Sequence, residues 1–201
     1  MRSNTPPCCI LVSGIPAAGK STAAKLISEA LEIPCFSKDL IKERLFDTVG
    51  FSSRAEKVKL NAGATAALYY AAEQLMKNGL PFVLENNFEN GTADEIKALI
   101  KKYGYKAICL VLTGDYERIY ARFSQRELSP ERHRGHVVND CYPEDDPDRE
   151  IPKMTYGHYY DIVTKRGMDQ FRVNGENIVV DTTEIESVDW NALTEKIKRL
   201  I

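Results

Sequence analysis

The sequence has no apolar run approaching the ~20 residues that a membrane-spanning helix needs, and it has no C-x-x-C pair. Its five cysteines are odd in number and no signal-peptide pattern precedes them. The expectation is therefore reduced thiols in a reducing cytoplasm, not a disulfide framework. Charge of one sign is not in excess: 27 Lys and Arg stand against 29 Asp and Glu, a formal net charge of −2. That balance excludes bulk attraction to nucleic acid or a membrane surface, so any polyanion must meet a local patch. Internal repeats and low-complexity segments are also missing. What is present is an ordinary globular composition, 43% apolar and 28% charged, in 201 residues. This length suits a single domain, 1–201, with a sizeable core.

The most informative stretch is Gly14-Ile15-Pro16-Ala17-Ala18-Gly19-Lys20-Ser21, with Thr22 following. It matches G-x-x-x-x-G-K-[ST], and its context agrees. Cys8-Cys9-Ile10-Leu11-Val12 predicts a buried strand running into it, and Ala23, Ala24, Ile27, Ala30 and Leu31 predict one face of a helix running out. The two glycines let the backbone curl so that successive N–H groups converge on a phosphate. The helix N-terminus adds roughly half a positive charge. Lys20 then reaches the β- and γ-phosphates, and the Ser21 hydroxyl can ligate Mg²⁺. Residues 14–22 are thus expected to bind a nucleoside triphosphate.

Strand and helix patterns alternate along the rest of the chain. Residues 1–7 read as a disordered lead. Short strands are expected at 33–37, 81–85, 105–112 and 178–180, with Phe171-Arg172-Val173 before the last. The longest helical stretch, Arg54 to Asn78, carries a stripe of Val58, Ala62, Thr65, Tyr69, Ala72 and Met76, and Gly63 is a candidate break. Thr92-Ala93-Asp94-Glu95 is a capping-box signature, and Asp115 is a helix-cap candidate. Alternation of this kind implies an α/β fold, a parallel sheet with helices on both faces. In such sheets ligands bind beyond the carboxyl ends of the strands.

Chemistry-bearing residues recur at those ends. Asp39 follows the second strand, where a carboxylate can accept the proton of an incoming hydroxyl; an Asp there is also an ordinary helix N-cap. Lys42 and Arg44 are either acceptor-binding charges or solvated helix residues. Glu85-Asn86-Asn87 ends the third strand; Glu85 can hold Mg²⁺ through water, and Asn87 can orient the acceptor or serve the turn. Arg118, Arg122 and Arg126 share one helix face. Arg122 and Arg126 are candidates for stabilising a migrating phosphoryl group, and Arg118 reads as structural. From 127 to 153 periodicity fades and charge is dense. Arg132-His133-Arg134-Gly135-His136, a basic cluster with a glycine hinge, suits a mobile lid. His133, His136 and Cys141 match no strong zinc spacing. The acidic run 144–148 is a solvated loop or a partner for the lid arginines. Asp181-Thr182-Thr183 either edges the nucleotide base or forms a turn.

Together, Gly14–Ser21, Asp39, Glu85-Asn86-Asn87 and Arg122 with Arg126 resemble a P-loop kinase of the nucleoside-monophosphate-kinase-like fold. The similarity extends to the branch with polynucleotide 5′-hydroxyl kinases, zeta-toxin kinases and chloramphenicol phosphotransferase, proteins often labelled AAA-domain ATPases. The resemblance implies a three-layer P-loop NTPase fold with a five-stranded parallel sheet and an arginine-rich lid. It also implies that Asp39 is the general base and that lid arginines hold ATP phosphates. Polynucleotide kinases end the third strand with aspartate, whereas this chain has Glu85. Neither an Asp-Glu Walker B pair nor a guanine-reading Asn/Thr-Lys-x-Asp motif is evident. The expected activity is ATP- and Mg²⁺-dependent phosphoryl transfer to a hydroxyl of a small molecule or nucleotide. A polynucleotide 5′-hydroxyl is the alternative acceptor, with nucleic acid possible but not favoured. A nucleotide-dependent switch or accessory ATPase that binds a protein partner is the rival from another class. No membrane is expected among the partners.

Overall fold

In a computed structural model, which describes residues 7–146 and 148–201, five strands form one sheet: β1 (Cys8–Gly14), β2 (Cys35–Ser37), β3 (Phe82–Glu85), β4 (Lys106–Thr113) and β5 (Glu176–Asp181). All neighbours pair in parallel, in the order β2-β3-β1-β4-β5. The helices are α1 (Lys20–Leu31), α2 (Lys38–Val49), α3 (Arg54–Lys77), α4 (Ala93–Tyr103), α5 (Tyr116–Glu127), α6 (Arg134–Val137), α7 (Tyr156–Lys165) and α8 (Trp190–Lys198).

The sheet is covered on both sides, which explains why its central strands read as continuous apolar runs. In β1, Cys9 and Leu11 point into a core shared with Leu68, Tyr69 and Met76 of α3 and Ile96 and Ile100 of α4. Ile10 and Val12 point the other way, to Ala23, Ala24 and Ile27 of α1, Ile119 and Phe123 of α5, Val163 of α7 and Ile197 of α8. This two-residue alternation is the strand period, and it produces the three layers. A third, smaller cluster of Phe46, Phe51 and Val138 sits apart from the sheet, where α2 and α3 meet the segment around α6. No helix among the described residues is long and apolar enough to cross a membrane.

Several local expectations are corrected. Gly63 does not break α3, which runs unbroken for 24 residues. The buried face of α3 is Lys57, Ala64, Thr65, Leu68, Tyr69, Ala72 and Met76, whereas Val58 and Ala62 are exposed. Thr92 does not close a capping box: its hydroxyl donates to the Glu89 carbonyl instead, 3.2 Å away. Phe171-Arg172-Val173 is not a strand but an irregular leg that buries Phe171 and Val173, with Phe171 stacked on Phe88 at 4.6 Å. Asp115 does cap α5, accepting from Arg118 N at 2.9 Å. Residues 1–6 of the expected disordered lead lie outside the described residues. Pro7 is held, its carbonyl accepting from Lys106 N at 2.9 Å.

Candidate active site

The strand order reverses beside β1: the chain leaves β1 for β2 on one side, returns to β3, and then crosses to β4. The loops after β1 and β3 therefore diverge and leave a crevice at their carboxyl ends. The loop from Gly14 to Gly19 lies there. Gly14 has φ 139°, and a Cβ on it would sit 2.2 Å from the Leu112 carbonyl oxygen. No residue with a side chain fits that approach. Gly19 (φ 90°) and Ala17 (φ 66°) are left-handed as well, which turns successive N–H groups inward. Helix α1 starts at Lys20 with no side-chain cap, so its first N–H groups face the loop. Ile15 and Ala18 are buried beneath the loop, while Pro16, Ala17, Gly19, Lys20, Ser21 and Thr22 line the crevice. Lys20 Nζ donates to the Ile15 carbonyl at 2.9 Å. Burial lowers the pKa of Lys20 to about 8, against the opposing pull of the Glu85 and Asp39 carboxylates.

Glu85, at the end of β3, is buried and accepts a 2.8 Å hydrogen bond from Ser21 Oγ. A hydroxyl and a carboxylate held this way are hard oxygen donors that fit Mg²⁺. No group of three or more His, Cys, Asp or Glu side chains gathers into a metal cage among the described residues. Asn87 lines the same crevice, placed by its carbonyl accepting from Ser13 Oγ at 3.0 Å and its N–H donating to Asn86 Oδ1 at 2.8 Å.

Asp39 stands in the second position of α2, so it is not the cap; Ser37 occupies that place. Its Oδ1 lies 3.1 Å from both Lys38 Nζ and Lys42 Nζ. Neither approach is aligned as a hydrogen bond, so these are ion pairs. The side chain keeps 47% of its surface open to the crevice, although surrounding groups exclude most bulk water. That desolvation alone would raise its pKa. The Lys38 and Lys42 ammonium groups outweigh it and hold the carboxyl well below the usual range. Lys42 itself is lowered to about 8 by burial, despite Asp39. Arg44, grouped with Lys42 in the sequence, is instead exposed and does not line the crevice. On a helix, two positions further along the chain means a turn of about 200° to the opposite side.

The three arginines of α5 part ways. Arg118 is on the surface, paired with Glu184 at 2.8 Å. Arg122 spends its fork on carbonyl oxygens, those of Thr183 (2.7 Å), Thr182 (2.5 Å) and Ala17 (3.5 Å). It ties the loop after β5 to the phosphate loop, so its geometry is that of a positioning residue and not of a free charge over a phosphoryl group. Thr182 and Thr183 correspondingly form a turn under Arg122; Thr182 is fully buried. Arg126 alone faces the crevice without a strong partner. Among the described residues its buried Nε has no hydrogen bond, and its one ion pair is a 3.6 Å approach to Glu127. Burial, and then the neighbouring Arg132 charge, lower its pKa. An arginine left so under-neutralised fits an anion.

The segment 127–153 borders the crevice opposite the loop. Arg132 pairs with Glu127 at 2.9 Å, and Arg134 and Arg149 converge on buried Glu144, each at 2.6 Å. Part of the acidic run is thus an intrachain partner; Pro147 lies outside the described residues. His133 pairs with Asp47 (3.0 Å) and His136 with Glu43 (2.8 Å). Burial lowers the pKa of His136 and favours the neutral ring. Gly135, the glycine expected at the lid hinge, is closely packed. It lies in α6 without a left-handed φ, and a Cβ there would sit 2.5 Å from the Phe46 ring. The glycine serves close approach.

Sequence reasoning missed Lys38, Glu43, Lys57 and the pairing of His136. Lys57 is buried on α3 and donates to the carbonyls of His136 (2.9 Å) and Val138 and to Asn139 Oδ1 (3.2 Å). The available signal was a lysine on the buried face of a helix, in register with Ala64, Leu68 and Ala72.

Comparison with known proteins agrees with this architecture. A family described as an AAA domain matches residues 9–141. The chain belongs to that family. No curated protein matches it. Among solved structures, this AAA-domain protein is similar to a candidate kinase from Chloroflexus aurantiacus J-10-fl, with TM-score 0.72 and 24% identity over 98% of this chain and 97% of that one. Shikimate kinase from Acinetobacter baumannii, in complex with shikimate, has TM-score 0.55 and 15% identity over 98% and 93%. A gluconokinase from Sinorhizobium meliloti 1021 has TM-score 0.53 and 16% identity over 97% and 98%. These likenesses establish the α/β P-loop kinase fold with its five-stranded parallel sheet.

Proposed function

We propose that this AAA-domain protein is a kinase that transfers the γ-phosphoryl group of ATP to a hydroxyl of a small molecule or nucleotide. The observation that carries the reading is the convergence of Asp39 and Arg126 on the crevice of Lys20, where all three side chains line the same cavity. A nucleotide switch needs the phosphate loop; it does not need an ionised carboxylate and an under-neutralised arginine beside it.

In this reading the 14–22 loop and Lys20 hold the β- and γ-phosphates. Ser21, and Glu85 through water, hold Mg²⁺, which neutralises charge on the phosphates when bound. The acceptor hydroxyl donates a hydrogen bond to Asp39. Its oxygen forms a bond to the γ-phosphorus while the bond from the bridging β–γ oxygen breaks, and ADP leaves with that electron pair. The proton passes to Asp39 late and then to water. A carboxylate with a depressed pKa is a weak base, but a loose phosphoryl-transfer transition state asks little of one; orientation is the larger contribution. Arg126 meets the charge on the migrating group as segment 127–153 closes over it, and Asn87 orients the acceptor. Arg122 holds the frame.

The test is phosphoryl transfer from labelled ATP to a panel of nucleosides, nucleotides, sugars, sugar acids and a 5′-hydroxyl oligonucleotide, run beside Lys20→Ala and Asp39→Asn. Lys20→Ala should lose turnover. Asp39→Asn should lose about 10²–10⁴-fold in transfer with ATP affinity near that of the parent. Parental transfer by Asp39→Asn would remove it from the chemistry, and ATP turnover with no acceptor on any panel would favour the switch.

A further inference from the structure

Away from the phosphate loop, the crevice is bounded by α2, the first turns of α3 and the segment around α6. Four basic side chains stand on this wall around the Asp39 carboxylate. Lys38 and Lys42 both lean on the same oxygen of Asp39. Among the described residues, Arg54 Nη1 donates only to the neutral Oδ1 of Asn139, at 2.7 Å. Lys57 donates to two backbone carbonyls and to that same amide oxygen. The nearby carboxylates are committed elsewhere, Glu43 to His136 and Glu127 to Arg132. In a protein whose formal net charge is −2, this is a concentrated surplus of positive charge. The phosphates of a nucleotide on the loop do not account for it, because Lys20, Arg126 and the α1 N-terminus serve them.

We infer that the acceptor is a small anionic alcohol, bound by a carboxylate or phosphate to Lys38, Lys42 and Arg54, with its hydroxyl directed to Asp39 and with Lys57 adding charge from behind them. This rests on the kinase reading and names the substrate class for it. The wall is under strain without such a group. Burial, with Arg54, Lys42 and Arg132 adding repulsion and Glu127 only partly offsetting it, brings Lys57 to a pKa of about 7. An incoming anion reverses that repulsion and draws protons back onto the lysines. Size follows from enclosure. The crevice has a volume of about 2230 Å³, larger than the few hundred to ~1,000 Å³ of an ordinary ligand pocket, so it has room for nucleotide and acceptor together. The chain passes over the wall, because Lys57 and Arg54 hold residues 136, 138 and 139. A continuous polymer track with stacking platforms is not what this geometry offers.

The experiment uses the full chain saturated with Mg²⁺ and a non-hydrolysable ATP analogue, which fills the loop. Glycerol, glycerate and glycerol 3-phosphate are then titrated calorimetrically at pH 7.5 in two buffers of different ionisation enthalpy. At least one of the two anions should bind saturably and about ten-fold or more tighter than glycerol. Binding should take up protons, and the stronger of the two tells carboxylate from phosphate. Arg54→Met, an exposed first-turn substitution, should weaken that anion about ten-fold without lowering the melting temperature. Equal binding of glycerol, no saturable binding of either anion, or indifference to Arg54→Met would overturn the inference and leave the kinase reading standing. Failure to bind the ATP analogue would instead sink the kinase reading, and this inference with it.

Discussion

Replacing Arg126 with methionine separates catalysis from stability, because the two should move in opposite directions. In the free protein the guanidinium has a buried Nε without a hydrogen bond, a loose 3.6 Å contact to Glu127, and a repulsive neighbour in Arg132. Removing a cation that the fold leaves under-neutralised costs little, and the aliphatic replacement keeps the stem packed against Phe123, now 5.6 Å from the guanidinium carbon. The melting temperature should therefore equal or exceed that of the parent. In the transition state the same charge meets the migrating phosphoryl group. Arginines in that role supply about 10³–10⁵-fold, which is about 4–7 kcal/mol at 1.36 kcal/mol per decade. The side chain keeps 39% of its surface open, so water screens part of the effect and the lower end, about 10³-fold, is expected. The assay is single-turnover cleavage of ATP at saturating Mg²⁺·ATP, with water as acceptor where no better one is at hand, alongside the dissociation constant for ADP. The rate should fall about 10³-fold while ADP affinity changes less than about ten-fold. A parental rate at full occupancy, or a lowered melting temperature that tracks the loss of rate, would refute the reasoning and make Arg126 a structural residue.

Two further outcomes follow from the same contacts. The pKa of Lys20 is lowered to about 8 in the folded protein, so its charge is present below that pH and lost as pH rises through it; ADP affinity should fall across that range, and a flat profile to pH 9 would mean that Lys20 does not carry the phosphate charge. The linked stability has the opposite sense, since between about 8 and the unfolded value near 10.5 the unfolded chain binds more protons and folding gains with rising pH. Gly135→Ala forces a methyl into the Phe46 ring and should cost about 1–3 kcal/mol, seen by hydrogen exchange as earlier opening of 130–142 with the β1–β4 core unchanged; unaltered protection of that segment would show that α6 does not depend on the close approach.

The phosphate loop, the alternation of strand and helix, and the placement of Asp39 and Glu85 at strand ends were all legible in the chain. The reason is that each is local. A glycine-spaced turn between an apolar run and an amphipathic one specifies its own backbone, and residues just past a strand inherit the strand's direction. The sheet then needs only the parallel rule to bring Ser21 to Glu85 across 64 residues. What the chain could not disclose was how like residues divide their partners. Arg122 and Arg126 are indistinguishable by type and helix face, yet one is consumed by carbonyls 60 and 61 residues away and the other keeps a loose 3.6 Å approach to Glu127. Lys57 reads as one charge on a long helix until the segment 79 to 82 residues further on lays its carbonyls over it. His136 reads as a lid residue until Glu43, 93 residues earlier, is placed against it. A charged side chain acquires its role from what neutralises it, and neutralisation is settled by segments distant in sequence that only the folded chain brings together.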